Sequence, residues 1–218
     1  MTLGEASGAL VYDSSIFGAT SPIIGERYRL EYTQSAGTLL YSGVLADVRK
    51  YFMPVRPFTI ALRGLTYGRY GRDSDDLRLS AIDLGSPGLV RGYDWGSFES
   101  QECLGTGASC PAADSLLGSR IAVGNAELRF PLVGAFSRRT YYGPLPLEVA
   151  VFADAGVAWT STLTPQFFNS ADRDWVKSVG TALRFNLFGY MVGEIDYVKP
   201  IDRPDKGWYW QFNFIPGF

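Results

Sequence analysis

The stretch Trp208-Tyr209-Trp210-Gln211-Phe212-Asn213-Phe214 decides the reading of this chain. Successive side chains of a strand point to opposite faces. Trp208, Trp210, Phe212 and Phe214 therefore share one face, and Tyr209, Gln211 and Asn213 the other. A soluble sheet has little use for so uniform an aromatic ladder. A strand facing lipid does, with Trp and Tyr at its interfacial ends.

The same period runs upstream. In 177–188, Val179, Thr181, Leu183, Phe185 and Leu187 alternate with Gly180, Ala182, Arg184 and Asn186. In 190–199, Met191, Ile195 and Tyr197 oppose Glu194 and Asp196. In 147–159, Val149, Val151, Ala153, Val157 and Trp159 oppose Glu148 and Asp154. In 120–132, Ala126, Leu128, Phe130 and Leu132 oppose Asn125, Glu127 and Arg129. Phe58, Ile60 and Leu62 oppose Arg63 and Arg69; Leu40, Val44, Ala46 and Val48 oppose Asp47 and Arg49; Tyr28, Leu30 and Tyr32 oppose Arg27, Arg29 and Glu31. Residues 8–15 carry a weaker pattern, with Leu10 and Tyr12 against Val11 and Asp13. The chain is thus expected to be all-β, an antiparallel transmembrane β-barrel of about 8–9 strands, with every charge on the face opposite the apolar one. A soluble sandwich would also alternate, but its outer face would be richly charged. Here the polar face mixes Gly, Asn and single charges, as a small wet lumen does.

Composition agrees. Of 218 residues only 19% are charged, 15% are aromatic and 25 are glycine; soluble domains carry roughly 25% charge. The net charge of −2 argues against a nucleic-acid partner. Histidine is absent, which excludes Ser-His and Cys-His catalysis and a His-ligated metal. No catalytic residue, metal or cofactor is expected. Sixteen of the twenty basic residues are Arg, which suits ion pairs in a lumen. Residues 1–8 hold no basic region followed by an apolar core, so an export signal is expected to have been removed, or the chain to be part of a longer one.

Short turns are expected at 21–25, 53–57 and 188–190, and long connections at 70–119, 160–174 and 201–207. In outer-membrane barrels short turns are periplasmic and long loops extracellular. The connection at 134–145 is long for the periplasmic side. Residues 1–218 are thus expected to form one barrel domain with a long extracellular loop at 71–119. Its acidic cluster, Asp73, Asp75 and Asp76, is more simply solvated than a cation site. Cys103 and Cys110 lie in the same loop, and the oxidising export route favours their pairing in a disulfide.

Within the loop stands Gly88-Leu89-Val90-Arg91-Gly92-Tyr93-Asp94, followed by Gly124-Asn125-Ala126-Glu127-Leu128-Arg129-Phe130-Pro131-Leu132 and Phe152-Ala153-Asp154-Ala155-Gly156. In order and spacing these blocks, with five alternating strands and a terminal Phe218, resemble the BamA-like superfamily of outer-membrane insertases, two-partner-secretion transporters and bacterial surface antigens. The resemblance covers about residue 8 to the end. It implies that the loop folds back into the barrel and that Arg91 meets Asp154 with Glu127 nearby. Val90, Arg91, Gly92 and Tyr93 then form the loop tip, and Glu127, Asp154 and Gly156 the wall that receives it. A guanidinium fork suits a carboxylate better than an ammonium does. Phe212, Phe214 and Phe218 resemble the C-terminal signal by which barrels are themselves assembled.

The family's barrels have sixteen strands, so this chain is expected either to be part of a larger barrel or to close alone. Closure of eight strands over 26–218, with 8–18 as an extra strand or a tether, is the simplest self-contained solution, and it leaves no room inside for the loop. The loop contact favours the wider barrel. The expected function is assistance to insertion or translocation of proteins at the outer membrane of a Gram-negative-type bacterium. The terminal strand 206–218 would be a seam edge, weakened at its ends by Gly207, Pro216 and Gly217. The alternative is a non-catalytic structural barrel that anchors or completes a larger assembly. Expected partners are outer-membrane lipid, and another polypeptide completing the barrel or a protein client.

Overall fold

A computed structural model describes residues 2–103, 111–137, 142, 146–163, 165, 173–187 and 191–214. Its strands are β1 (Leu3–Asp13), β2 (Ile16–Phe17), β3 (Pro22–Gly37), β4 (Tyr41–Val55), β5 (Phe58–Tyr70), β6 (Ile82–Asp83), β7 (Leu117–Gly118), β8 (Arg120–Pro131), β9 (Leu147–Trp159), β10 (Val176–Leu187), β11 (Met191–Pro200) and β12 (Tyr209–Phe214). Short helices α1 (Pro111–Asp114) and α2 (Leu132–Ser137) lie in connections. The wall is one antiparallel sheet in the order β1-β3-β4-β5-β8-β9-β10-β11-β12, with β2 against β3 and β6-β7 a separate ribbon in the long loop.

Burial inverts the rule for soluble proteins. On the inner face Glu127, Arg129, Glu148, Asp154, Arg184 and Asp196 are all buried. On the outer face Val48, Leu62, Leu128, Val151, Trp210 and Phe212 are exposed. No aqueous fold gains by exposing its apolar face and burying its charges. A bilayer around a polar interior makes the arrangement favourable, and the fold is that of a transmembrane β-barrel.

Several expectations need correction. Not every charge faces inward: Glu26, Lys50, Arg120, Lys177 and Lys199 share the outward parity of their strands. They sit toward strand ends, where long side chains can reach polar surroundings, and Glu26 pairs with Lys50. The weak pattern at 8–15 is a full eleven-residue strand, registered with β3 from Leu3↔Gly37 to Asp13↔Arg27. Gly4, Ser7 and Gly8 had diluted its alternation. Residues 22–25 belong to β3, and the turn lies before them. Pro22 is the first residue of that strand, where a missing N–H is tolerated. Gly25 adopts φ +112 inside it; a Cβ there would lie 2.4 Å from the Ser14 carbonyl oxygen. Likewise β4 continues to Val55 through a register shift after Phe52. The connection after β8 is long because it holds α2. Residues 188–190 lie outside those described.

Eight-stranded closure over 26–218 is overturned. The outer edge of β3 is taken by β1, and β1 and β12 do not pair among the described residues. The sheet is nonetheless curled. At the short-turn end, residues 18–22 cross to the far wall. Ser21 Oγ donates to Glu148 on β9 at 2.7 Å, and Asn186 on β10 donates to the Ala19 carbonyl at 2.7 Å.

Candidate functional site

The long loop does not stand outside the barrel. Leu84, Val90, Tyr93 and Leu116 pack in one apolar cluster with Leu65 of β5, Ile121 and Val123 of β8, Ala158 of β9 and Val176 of β10. Burying such side chains contributes about 1.5–3 kcal/mol each, so the docked loop is part of the core. Gly156 makes the approach feasible, since a Cβ there would lie 2.6 Å from Val90 Cγ2.

That docking drives Arg91 into the wall, where it is 3% exposed. Its Nε donates to Asp154 Oδ2 at 2.8 Å and its Nη2 to Oδ1 at 2.9 Å, a two-point fork that fixes direction as well as charge. Nη1 lies 2.6 Å from Glu127 Oε1 and 3.6 Å from Glu194 Oε1. The guanidinium lies over the Phe152 ring, 3.5 Å from its centroid. Burial alone would lower the Arg91 pKa; the carboxylates of Glu127 and Asp154 outweigh it and raise the pKa. An arginine guanidinium is in any case charged at all accessible pH.

Gly92 takes φ +89, which turns the tip and points its N–H at Gln211 Oε1 on β12, 3.0 Å away. Tyr93 closes the tip by donating to the Lys177 carbonyl at 2.8 Å. Burial, then the Asp202 charge, raises its phenol pKa.

Around the pair lies a larger network. Glu127 bridges three guanidinium groups: Arg91, Arg129 at 2.6 Å and Arg184 at 2.9 Å. Arg184 also pairs with Glu194 and reaches Glu148 at 3.4 Å. Asn125 donates to Asp154 at 2.9 Å and to the Leu89 carbonyl at 2.8 Å. Arg63, paired with Asp47, donates to the Gly88 carbonyl at 2.7 Å. The motifs single out Arg91, Glu127 and Asp154. Strand parity places Arg129, Arg184, Glu148 and Glu194 on the inner face, but only register brings them together. An arrangement of buried, paired ions holds a loop.

The other expected positions are simpler. Phe212 and Phe214 point outward from β12 and are exposed, while Phe218 lies outside the described residues. Cys103 is disulfide-bonded, and Cys110 lies outside the described residues. The acidic cluster is tied down: Asp73 accepts from the Leu40 N–H at 2.8 Å, Asp75 from the Ser161 N–H at 3.2 Å, and Asp76 from Arg78 at 2.8 Å.

A curved antiparallel wall with lipid-facing aromatics and a lumen filled by an arginine-tipped loop defines a class, the loop-plugged outer-membrane barrels. The Omp85 superfamily domain matches residues 24–218, and the chain belongs to that superfamily. No curated protein matches it. The superfamily is associated with bacterial outer membranes. Its members work with other polypeptides in protein insertion or translocation and are generally non-enzymatic.

Proposed function

We propose that this chain assists insertion or translocation of other proteins at the outer membrane of a Gram-negative-type bacterium, and that it acts at the edge of β12 rather than through its lumen. Residues 1–218 act as one barrel domain, with the loop at 71–119 extracellular in origin and folded inward. The observation that carries the reading is the pairing of a filled lumen with an unpaired edge. Arg91, its carboxylates and the cluster around Val90 occupy the interior. Among the described residues β12 pairs on one side only, through Gly193↔Phe214 to Val198↔Tyr209. A strand edge is a template for another strand. Its outward face, Trp210, Phe212 and Phe214, is apolar and exposed, so an arriving strand continues the lipid-facing surface. Arg91, Glu127 and Asp154 hold the loop against the inner wall.

The test is the folding of an unfolded β-barrel client into liposomes that contain the protein. Insertion faster than into empty liposomes is expected, with a cysteine at Asn213 cross-linking to the client during the reaction. A rate equal to that of empty liposomes overturns the reading. The edge of β1, also unpaired among the described residues, favours the second reading, a structural barrel that completes a larger assembly. Under it the protein cross-links to a stable partner strand and leaves the client's rate unchanged.

A further inference from the structure

We propose that Arg203 latches the long loop to the β11–β12 hairpin, so that the loop tip and the edge strand are held and released together. Arg203 lies in the connection between β11 and β12, a segment that reads as a solvent-facing loop, yet it is 2% exposed. All five of its N–H groups have an acceptor. Nε and Nη2 fork onto Glu102, at 2.7 and 2.8 Å. Nη1 donates to the Gly92 carbonyl at 2.7 Å and to Ser97 Oγ at 2.9 Å, and Nη2 to the Ser97 carbonyl at 3.0 Å. The guanidinium carbon also stands 3.9 Å from the centroid of the Phe98 ring. Every one of these partners belongs to the long loop. From β12 itself Gln211 takes the Gly92 N–H at 3.0 Å. Gly92 is thus gripped on both sides, its N–H by the edge strand and its C=O by the connection leading into that strand.

Arg91 and Arg203 therefore do different work. Arg91 ties the loop to β8 and β9, in the middle of the wall. Arg203 ties it to the edge. Beyond the loop, β12 has a ladder of only six residue pairs with β11. Charge-assisted hydrogen bonds contribute more than neutral ones, so the loop contacts are a large part of what holds β12 in place. Arg203 is a positioning residue. Its bearing on client handling rests on the edge reading above; the latch itself does not.

Hydrogen exchange on the full chain in detergent micelles tests it, segment by segment. Arg203→Ala is expected to speed exchange about tenfold or more at 209–214 and in 92–103, the scale of losing several charge-assisted bonds. Exchange at 120–131 and 147–159 stays at the parent rate. Glu102→Gln, which leaves the carbonyl contacts in place, gives a smaller rise at the same two segments, and it decides the matter if Arg203→Ala does not fold. Arg203→Lys keeps the charge without the planar fork and behaves like the alanine variant. Unchanged exchange at 209–214, an equal rise across all strands, or full restoration by lysine overturns the latch. Because exchange needs no client, failure to stimulate client insertion removes the edge function and leaves the latch standing. Loss of the latch pattern in a protein that still stimulates insertion does the reverse.

Discussion

Arg91 shows why a single cation can govern a fifty-residue loop. It is buried against Asp154 and Glu127, and its fork leaves neither carboxylate free to find water. Removing it strands Asp154 with only Asn125 as a partner, while Glu127 keeps Arg129 and Arg184. Arg91→Ala is expected to cost on the order of 3–5 kcal/mol, most of it the penalty on the abandoned Asp154 carboxylate. Arg91→Lys is expected to recover only part, since an ammonium cannot span both Asp154 oxygens and Glu127. Denaturant midpoints in detergent micelles check both; a midpoint for Arg91→Ala equal to the parent's would show that the loop is held by its apolar cluster alone. The pair was legible because motif order points to it and because both acids fall on the polar parity of their strands. Arg203 was not legible. Nothing local marks it: its burial is created by loop residues a hundred positions away that arrive only on folding.

At the scale of the strand, period two carried almost the whole reading. It placed Leu183 outward and Arg184 inward on β10, and the register confirms the geometry: Leu183 lies between Val149 and Ile195 on the outer face, while Arg184 meets Glu148 and Glu194 inside. Leu183→Arg is expected to destabilise the barrel by roughly 2–4 kcal/mol near the bilayer midplane. Leu183→Phe should be close to neutral, because a ring is at home on the lipid face. Unfolding from lipid vesicles measures both; equal effects of the two substitutions would show that position 183 does not face lipid. Where the pattern misled, glycine and proline were the cause. Pro22 and Gly25 look like turn residues, but here one opens β3 and the other bends it. In β1 small residues erased the alternation, although backbone pairing needs no side chains at all.

For the whole molecule the open sheet is the informative feature. A free edge in hydrocarbon leaves N–H and C=O groups without partners, each costing several kcal/mol. The eleven residues of β1 and the six of β12 present two such edges, and β1–β12 pairing is not found among the described residues. The curl of the sheet does not require that pairing. Residues 18–22 brace β3 against β9 and β10 through Ser21 and Asn186, while the docked loop fills the opposite end. The lumen is wide enough to hold that loop, which a self-closed eight-stranded barrel could not do. The edges are therefore expected to be occupied in the membrane by strands other than each other. Cysteines at Leu10 and Phe212, one on each edge and both on the outer face, check this directly. In lipid they should fail to cross-link within one molecule, and the purified 218-residue chain should be oligomeric in detergent. An efficient intramolecular Leu10–Phe212 cross-link in a monodisperse, heat-resistant monomer would show instead that β1 and β12 meet, and that nine strands close around their own loop.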